Sequence, residues 1–255
     1  MTSVTTDDNL WLRRFHLAPA HSPDNPRLVC FPHAGGSASS FLPFSRSLTA
    51  VLEVVAVQYP GRQERRREPC FGSMTELANQ VFTVLKSLTD RPLALFGHSM
   101  GAIAAFEVAR RLEDKAGASL VALFVSGRRA PSQYRAEHVH QKDDEGLVAE
   151  IKALSGTDTR VLDNEELLRM VLPAIRSDYK AIETYQYQEG PKLRCPIHAL
   201  VGVVDPQATI EEVTAWKEYT TGHFTISVFP GGHFYLNEHQ ADAVKAVTTH
   251  LACER

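Results

Sequence analysis

The sequence predicts an α/β fold in which helices flank a mostly parallel central sheet. Short apolar runs rich in β-branched residues alternate along the chain with longer segments of helical period. The length of 255 residues suits one such domain. Hydrophobic residues make up 44% of the chain and charged residues 22%, as in ordinary globular domains. We therefore expect residues 1–255 to form a single domain.

Six runs have the length and composition of buried strands, at residues 28–31, 54–59, 93–96, 120–126, 197–202 and 224–229. Amphipathic segments between these runs predict helices near residues 40–48, 74–88, 100–113, 211–220 and 238–251. Because strands and helices alternate in this way, we expect parallel strands joined by helical crossovers.

One connection is too long for a simple crossover. About 70 residues separate the strand predicted at 120–126 from the strand predicted at 197–202, and this gap predicts an insertion over about 128–192. The insertion has two amphipathic patterns, and Pro173 is expected to kink the second. Their apolar positions are Leu147, Ile151 and Leu154, then Leu167, Leu168, Val171, Leu172 and Ile175. Two interpretations stay open: extra core helices, or a mobile helical lid over an apolar substrate pocket.

Charge and composition argue against several classes of partner. The formal charge of −3 gives no general attraction to nucleic acid or to an anionic membrane. No apolar run approaches the roughly 18 residues of a membrane span, and no export signal is recognisable. Four scattered cysteines are typical of reduced thiols rather than of disulfides or a metal site. We predict a cytoplasmic protein with no nucleic-acid partner, no membrane partner and no metal.

The segment around Ser99 carries the strongest chemical signal. Residues 97–101, GHSMG, match the pattern G-x-S-x-G between a predicted strand and a predicted helix. A strained turn there would project the serine hydroxyl clear of the sheet, and the glycines would avoid side-chain collisions. We predict that Ser99 is a nucleophile, the alternative being a capping serine at a structural turn.

A serine hydroxyl needs a base and an orienting carboxylate, which in folds of this kind follow in the order serine, aspartate, histidine. Asp205 follows one predicted strand, and His233 follows the next within PGGHF, where two glycines let the loop reach Ser99. We predict that these three residues form a catalytic triad. The alternatives are a turn residue for Asp205 and a surface loop residue for His233, with Asp178 a distant rival for the carboxylate.

Acyl transfer also requires two donors for the tetrahedral oxyanion. We assign one to the backbone amide of Met100, directly after the predicted nucleophile. The other is assigned to the amide of Ala34, because the segment FPHAGGS at residues 31–37 lets the backbone approach a substrate closely. His33 and His98 flank this site, and we interpret both as packing or hydrogen-bonding residues rather than second bases.

Five segments, FPHAGGSASSF, QYPGRQER, LFGHSMGA, VGVVDP and FPGGHFYL, together resemble the stand-alone type II thioesterases of polyketide and nonribosomal peptide synthesis. The resemblance is colinear from about residue 28 to 250. It implies an α/β-hydrolase fold and the same triad of Ser99, Asp205 and His233. It also implies an editing thioesterase that hydrolyses aberrant or stalled acyl groups from the phosphopantetheine arm of an acyl or peptidyl carrier protein. No cofactor is implied, because the substrate carries the phosphopantetheine.

Three questions stay open at this stage. A small-molecule carboxylesterase or lipase shares the same fold and turn, and a hydrolase fold can also serve a non-catalytic binding protein. The charged run that follows Arg62, up to Arg67, is either a solvated face or a basic contact with an acidic carrier protein.

Overall fold

The computed structural model describes residues 8–16, 25–48, 50–154 and 164–253. These residues include seven strands, β1 (Leu12–Arg13), β2 (Arg27–Phe31), β3 (Glu53–Val57), β4 (Leu93–His98), β5 (Leu120–Ser126), β6 (Ile197–Gly202) and β7 (Phe224–Phe229). One sheet joins them in the order β1-β3-β2-β4-β5-β6-β7. Every neighbouring pair is parallel except β1 with β3.

The predicted α/β class is confirmed, with one added strand and one shortened strand. The two residues of β1 are too few to show a period, so sequence reasoning missed this antiparallel edge strand. β3 ends at Val57 instead of reaching residue 59. The next residue, Gln58, donates its backbone amide to the Trp11 carbonyl at 2.7 Å, and its side-chain oxygen accepts a hydrogen bond of 2.8 Å from the Ala38 amide in the preceding loop.

Helices cover both faces of the sheet. They are α1 (Asp8–Trp11), α2 (Leu42–Leu48), α3 (Met74–Leu85), α4 (Met100–Lys115), α5 (Asp144–Leu154), α6 (Glu165–Glu183), α7 (Ile210–Thr214), α8 (Tyr235–Glu238) and α9 (Gln240–Cys253). The helix predicted at 40–48 begins with the 3₁₀ turn Ala38–Phe41, and the one predicted at 238–251 is divided between α8 and α9.

Two apolar layers hold these helices against the sheet. In the layer under α3 and α4, the rings of Phe106 and Trp216 lie 5.2 Å apart. In the layer under α2 and α9, the rings of Phe44 and Phe96 lie 5.0 Å apart. Burying one such side chain contributes about 1.5–3 kcal/mol. The strands are therefore fixed from both sides, and so are the loops at their carboxyl ends.

The sheet is unequally covered toward its far edge. β6 is buried along its whole length, whereas β7, at the edge, is buried only at Phe229. Because β4, β6 and β7 are parallel to one another, the loops that follow them all emerge at the carboxyl ends of the strands.

The connection between β5 and β6 contains α5 and α6, whose apolar residues form a small core of their own. Leu147 and Ile151 of α5 pack with Leu172 and Ile175 of α6. The other apolar positions predicted here are less buried: Leu154, Leu168 and Val171 are partly buried and Leu167 is exposed. α6 remains helical through Pro173. The apolar stripes identified from sequence are thus used mainly in contacts between these two helices.

Candidate active site

Ser99 occupies a sharp turn between β4 and α4. Its backbone has φ of 56° and ψ of −121°, a region that residues with a side chain rarely adopt. A Cβ atom on Gly97 would collide with the Gly101 carbonyl, and one on Gly101 would collide with the Phe31 carbonyl oxygen. The Ser99 amide donates a hydrogen bond of 2.8 Å to the Ser126 carbonyl. These contacts hold the strained turn in place at the end of the sheet.

The structure brings together the three residues that sequence reasoning proposed as a triad. His233 Nε2 lies 3.0 Å from Ser99 Oγ. On the other side of the ring, His233 Nδ1 lies 3.0 and 2.9 Å from the two carboxylate oxygens of Asp205. The side chain of Asp205 is 0% exposed and that of His233 is 2% exposed. The imidazole is therefore held between hydroxyl and carboxylate, out of solvent.

Two further histidines pack beside this arrangement. His98 Nδ1 lies 2.9 Å from Ser126 Oγ. Burial lowers the pKa of His33 to about 4, and the nearby charges of His233 and Arg62 act in the same direction. Burial also lowers the pKa of His98 well below its ordinary value. Both rings are neutral at pH 7, which suits packing and hydrogen-bonding residues.

Ala34 and Met100 both line the cavity beside Ser99. Within the described part of the chain, neither amide donates a hydrogen bond to another protein group. The Gly36 amide donates a hydrogen bond of 2.9 Å to the His33 carbonyl, and this turn shapes the loop that carries Ala34. Both amides are thus available to an oxygen placed near Ser99.

Asp178, the rival carboxylate, lies elsewhere. From α6 it accepts hydrogen bonds of 2.8 Å from the Gly35 amide and 2.5 Å from the Arg62 guanidinium. The side chains of Arg62 and Asp178 are both almost completely buried. Asp178 thus joins the insertion to the loop next to Ala34 instead of orienting His233. Sequence reasoning missed this role, and the available signal was a carboxylate on the buried face of an amphipathic helix.

The charged run from Arg62 to Arg67 has two different environments. Arg62 pairs with Asp178, and Arg65 is buried with its guanidinium 4.1 Å from the centre of the Trp11 ring. Arg66 and Arg67 are exposed. The interpretation of the run after Arg62 as a solvated face is therefore wrong for Arg65, and the two buried arginines, Arg62 and Arg65, stabilise the loop after β3.

A cavity of about 280 Å³ lies beside Ser99, between the loops that follow the strands and the insertion. Leu154 and Ile182 supply apolar wall from the insertion, but its charged lining comprises Arg128, Glu137, Lys142, Glu150 and Glu183. The cavity is therefore lined by both apolar and charged side chains. Because the insertion buries much of its apolar stripes between α5 and α6, charged side chains of both helices reach the cavity.

No candidate metal site was found in residues 8–16, 25–48, 50–154 and 164–253, where no three His, Cys, Asp or Glu side chains lie close enough to hold an ion. In the same ranges, none of the helices combines the length and hydropathy required to span a bilayer.

Serine hydrolases with the α/β-hydrolase fold have a serine on a strand-to-helix turn, and this serine is hydrogen-bonded to a histidine that is hydrogen-bonded to a buried aspartate. The structure has this arrangement. Residues 26–251 match the thioesterase domain family. The chain therefore belongs to the thioesterase family.

Individual relatives agree with this assignment. Thioesterase PikA5 of Streptomyces venezuelae is 50% identical over 253 residues, which cover 99% of this chain and 89% of that protein. The type II thioesterase BorB, from the borrelidin biosynthetic cluster, is 53% identical with a TM-score of 0.88, over 95% of this chain and 98% of that one. YbtT, a type II thioesterase of the yersiniabactin pathway, is 31% identical with a TM-score of 0.85, over 96% and 99%. The predicted resemblance to type II thioesterases is confirmed.

Proposed function

We propose that this thioesterase hydrolyses aberrant or stalled acyl groups from the phosphopantetheine arm of acyl or peptidyl carrier proteins, as an editing enzyme of polyketide or nonribosomal peptide synthesis. The observation that carries the proposal is the hydrogen-bonded series Ser99, His233 and Asp205 beside a cavity. The named clusters and pathways of BorB and YbtT support the substrate class. Such a substrate would place the enzyme in the cytoplasm with its synthase.

In the proposed cycle, His233 takes the Ser99 proton while the serine oxygen attacks the thioester carbonyl carbon. Asp205 holds the imidazole in the tautomer that accepts at Nε2 and stabilises the imidazolium that forms. The Met100 and Ala34 amides donate to the carbonyl oxygen as it becomes negative. These steps give a tetrahedral intermediate covalently bound to Ser99.

Collapse of this intermediate breaks the carbon–sulfur bond, the His233 imidazolium gives its proton to the departing sulfur, and the acyl group stays on Ser99. The pantetheine thiol, with a pKa of about 8.5, leaves more readily than an alkoxide and needs little help from a general acid. His233, neutral again, takes a proton from water as the water oxygen attacks the acyl-serine, and it returns that proton to Ser99 Oγ when the acid is released. No cofactor takes part, because the pantetheine arrives on the substrate.

Asp178→Ala should lower kcat by about 10- to 100-fold with little change in KM. Asp178 holds the Gly35 amide, so its loss would let the neighbouring Ala34 amide move away from the oxyanion, and losing one such donor costs about 100- to 1,000-fold. Steady-state kinetics on one acyl-pantetheine substrate would measure the change.

Glu68→Ala is the matched control for Asp178→Ala. It also removes the carboxylate partner of a buried arginine, Arg65, but it does not contact the loop that carries Ala34. We expect both variants to lower the unfolding temperature and only Asp178→Ala to lower kcat. An equal loss of kcat in the two variants would count against the positioning role.

A direct test of the function compares hydrolysis of acylated carrier protein with hydrolysis of oxygen esters that carry the same acyl groups. A mass-spectrometric panel of short, branched and long acyl chains on carrier protein would be scored for release. We expect kcat/KM for the carrier thioesters to exceed that for the esters by about 100-fold or more, because remote contacts with the carrier lower the transition-state energy. A preference for the esters would identify a carboxylesterase, and no turnover of either would identify a binding protein.

A further inference from the structure

Arg128 lies two residues beyond β5 and lines the same cavity as Ser99. Its backbone is fixed, because the Trp216 indole donates a hydrogen bond of 2.8 Å to the Arg128 carbonyl. The next residue, Arg129, is held by Glu137 at 2.5 Å and by the Gln207 carbonyl at 3.1 Å. The loop is thus kept in place without any contribution from the Arg128 guanidinium.

The guanidinium of Arg128 has no hydrogen-bond acceptor among the residues that the structure describes, and its Nε is buried. The other two arginines of this loop differ, since Arg129 pairs with Glu137 and Arg135 pairs with Glu212. Leaving a buried donor unsatisfied costs about 1–3 kcal/mol, and more for a charged group. A ligand that brings an acceptor into the cavity would give this guanidinium a hydrogen-bond partner.

The carboxylates that line the cavity are committed to other partners. Burial lowers the pKa of Arg128 to about 9, against the opposing influence of the Glu137 and Glu183 charges, so the guanidinium stays charged at pH 7. The carboxylate pairs are Glu137 with Arg129, Glu150 with Lys142, and Glu183 with His140. Arg128 is therefore, among the described residues that line the cavity, the cation without a carboxylate partner.

The charges around Arg128 indicate which acceptor fits. Three glutamates line the cavity together with Arg128 and Lys142, and each glutamate already has a basic partner, Arg129, Lys142 or His140. An anion on the acyl group would have to lie close to these carboxylates, whereas a carbonyl or hydroxyl oxygen could accept from the guanidinium without adding charge. Because Arg128 and Ser99 line the same cavity, an acyl group held at Ser99 could bring such an oxygen to the guanidinium.

We propose that Arg128 binds a neutral oxygen on the acyl group, such as a 3-hydroxy or 3-oxo oxygen, and thereby favours oxygenated acyl chains over saturated chains of the same length. The proposal rests on the proposed function, which it deepens by assigning a class of acyl group.

The test uses pantetheine thioesters, which separate acyl recognition from carrier recognition. Hexanoyl, 3-hydroxyhexanoyl, 3-oxohexanoyl and adipoyl thioesters would be compared in the wild type and in Arg128→Met. We expect kcat/KM for the two oxygenated substrates to fall by about 10- to 100-fold, the size of a lost charged hydrogen bond, and that for hexanoyl to change by less than about threefold. The Lys142→Met variant is the matched control, because Lys142 lines the same cavity but already pairs with Glu150, and its substrate ratio should equal that of the wild type.

If Arg128→Met lowers kcat/KM equally for all substrates, or leaves the ratio of kcat/KM for oxygenated and hexanoyl substrates unchanged, the role of Arg128 is overturned while thioester hydrolysis stays established. A loss confined to the adipoyl substrate would overturn the choice of a neutral oxygen. If the wild type hydrolyses none of the thioesters, the proposed function fails; the role of Arg128 would then stand or fall on whether Arg128→Met weakens calorimetric binding of 3-hydroxyhexanoyl-pantetheine. If Arg128→Met does not fold, Arg128→Lys keeps the charge but loses the planar donors, and it should show a reduced ratio.

Discussion

Replacing Ser99 with alanine is expected to lower kcat for acyl release by about a million-fold, to the level left by binding and the oxyanion donors alone. The change removes the oxygen that lies 3.0 Å from His233 Nε2. Because alanine keeps the Cβ atom, the backbone of the strained turn should stay the same. The measurement is mass-spectrometric release of acyl groups from carrier protein, with circular dichroism to show that the variant is folded.

Ser39→Ala serves as the control for Ser99→Ala, because Ser39 is exposed and lies outside the cavity lining. It should keep activity within about twofold, as expected of surface substitutions. A fluorophosphonate probe should label the wild type and Ser39→Ala but not Ser99→Ala. Substantial acyl release by Ser99→Ala, or labelling at another serine, would contradict the assignment of the nucleophile.

Asp205→Asn is expected to lower kcat by about 10,000-fold with KM nearly unchanged. An asparagine amide can donate to His233 Nδ1 where the carboxylate accepts, and this favours the tautomer whose Nε2 carries the proton and cannot take one from Ser99. Without the negative charge, the imidazolium formed during attack also loses its stabilising partner. Single-turnover acyl transfer to Ser99 would measure the loss directly.

Asp114→Asn, an exposed position on α4, is the control for Asp205→Asn and should be close to wild type. The comparison with Asp178 is equally informative. If Asp205→Asn stayed active while Asp178→Ala lost all acyl transfer to Ser99, the carboxylate of the triad would have been assigned to the wrong residue.

The strands, the turn at Ser99 and the order of the proposed triad could be predicted because each depends on a local pattern. A strand shows itself in a few consecutive residues, and parallel strands bring the loops after them to one edge. The pairing of Arg62 with Asp178 joins residues 116 positions apart, and no periodicity reports on such a contact. Arg128 was missed for the same reason, since its lack of an acceptor can be recognised only when all of its neighbours are placed.

The insertion shows a second limit of sequence reasoning. An amphipathic stripe indicates that one face of a helix is buried, but it does not identify the surface against which it packs. Leu147 and Leu172 were assigned to extra core helices or to a lid over an apolar pocket, and in the structure they pack against each other. The polarity of the cavity follows from that pairing and could not be inferred from either helix alone.

His233 is carried by the loop after β7, the partly buried strand at the edge of the sheet. Proteins open locally with free energies below that of global unfolding, and edges with few buried contacts open first. A brief separation of β7 from β6 would withdraw the base from Ser99 while the other strand pairs stay formed. Heating that loosens this edge is therefore expected to reduce activity before the cooperative loss of the fold.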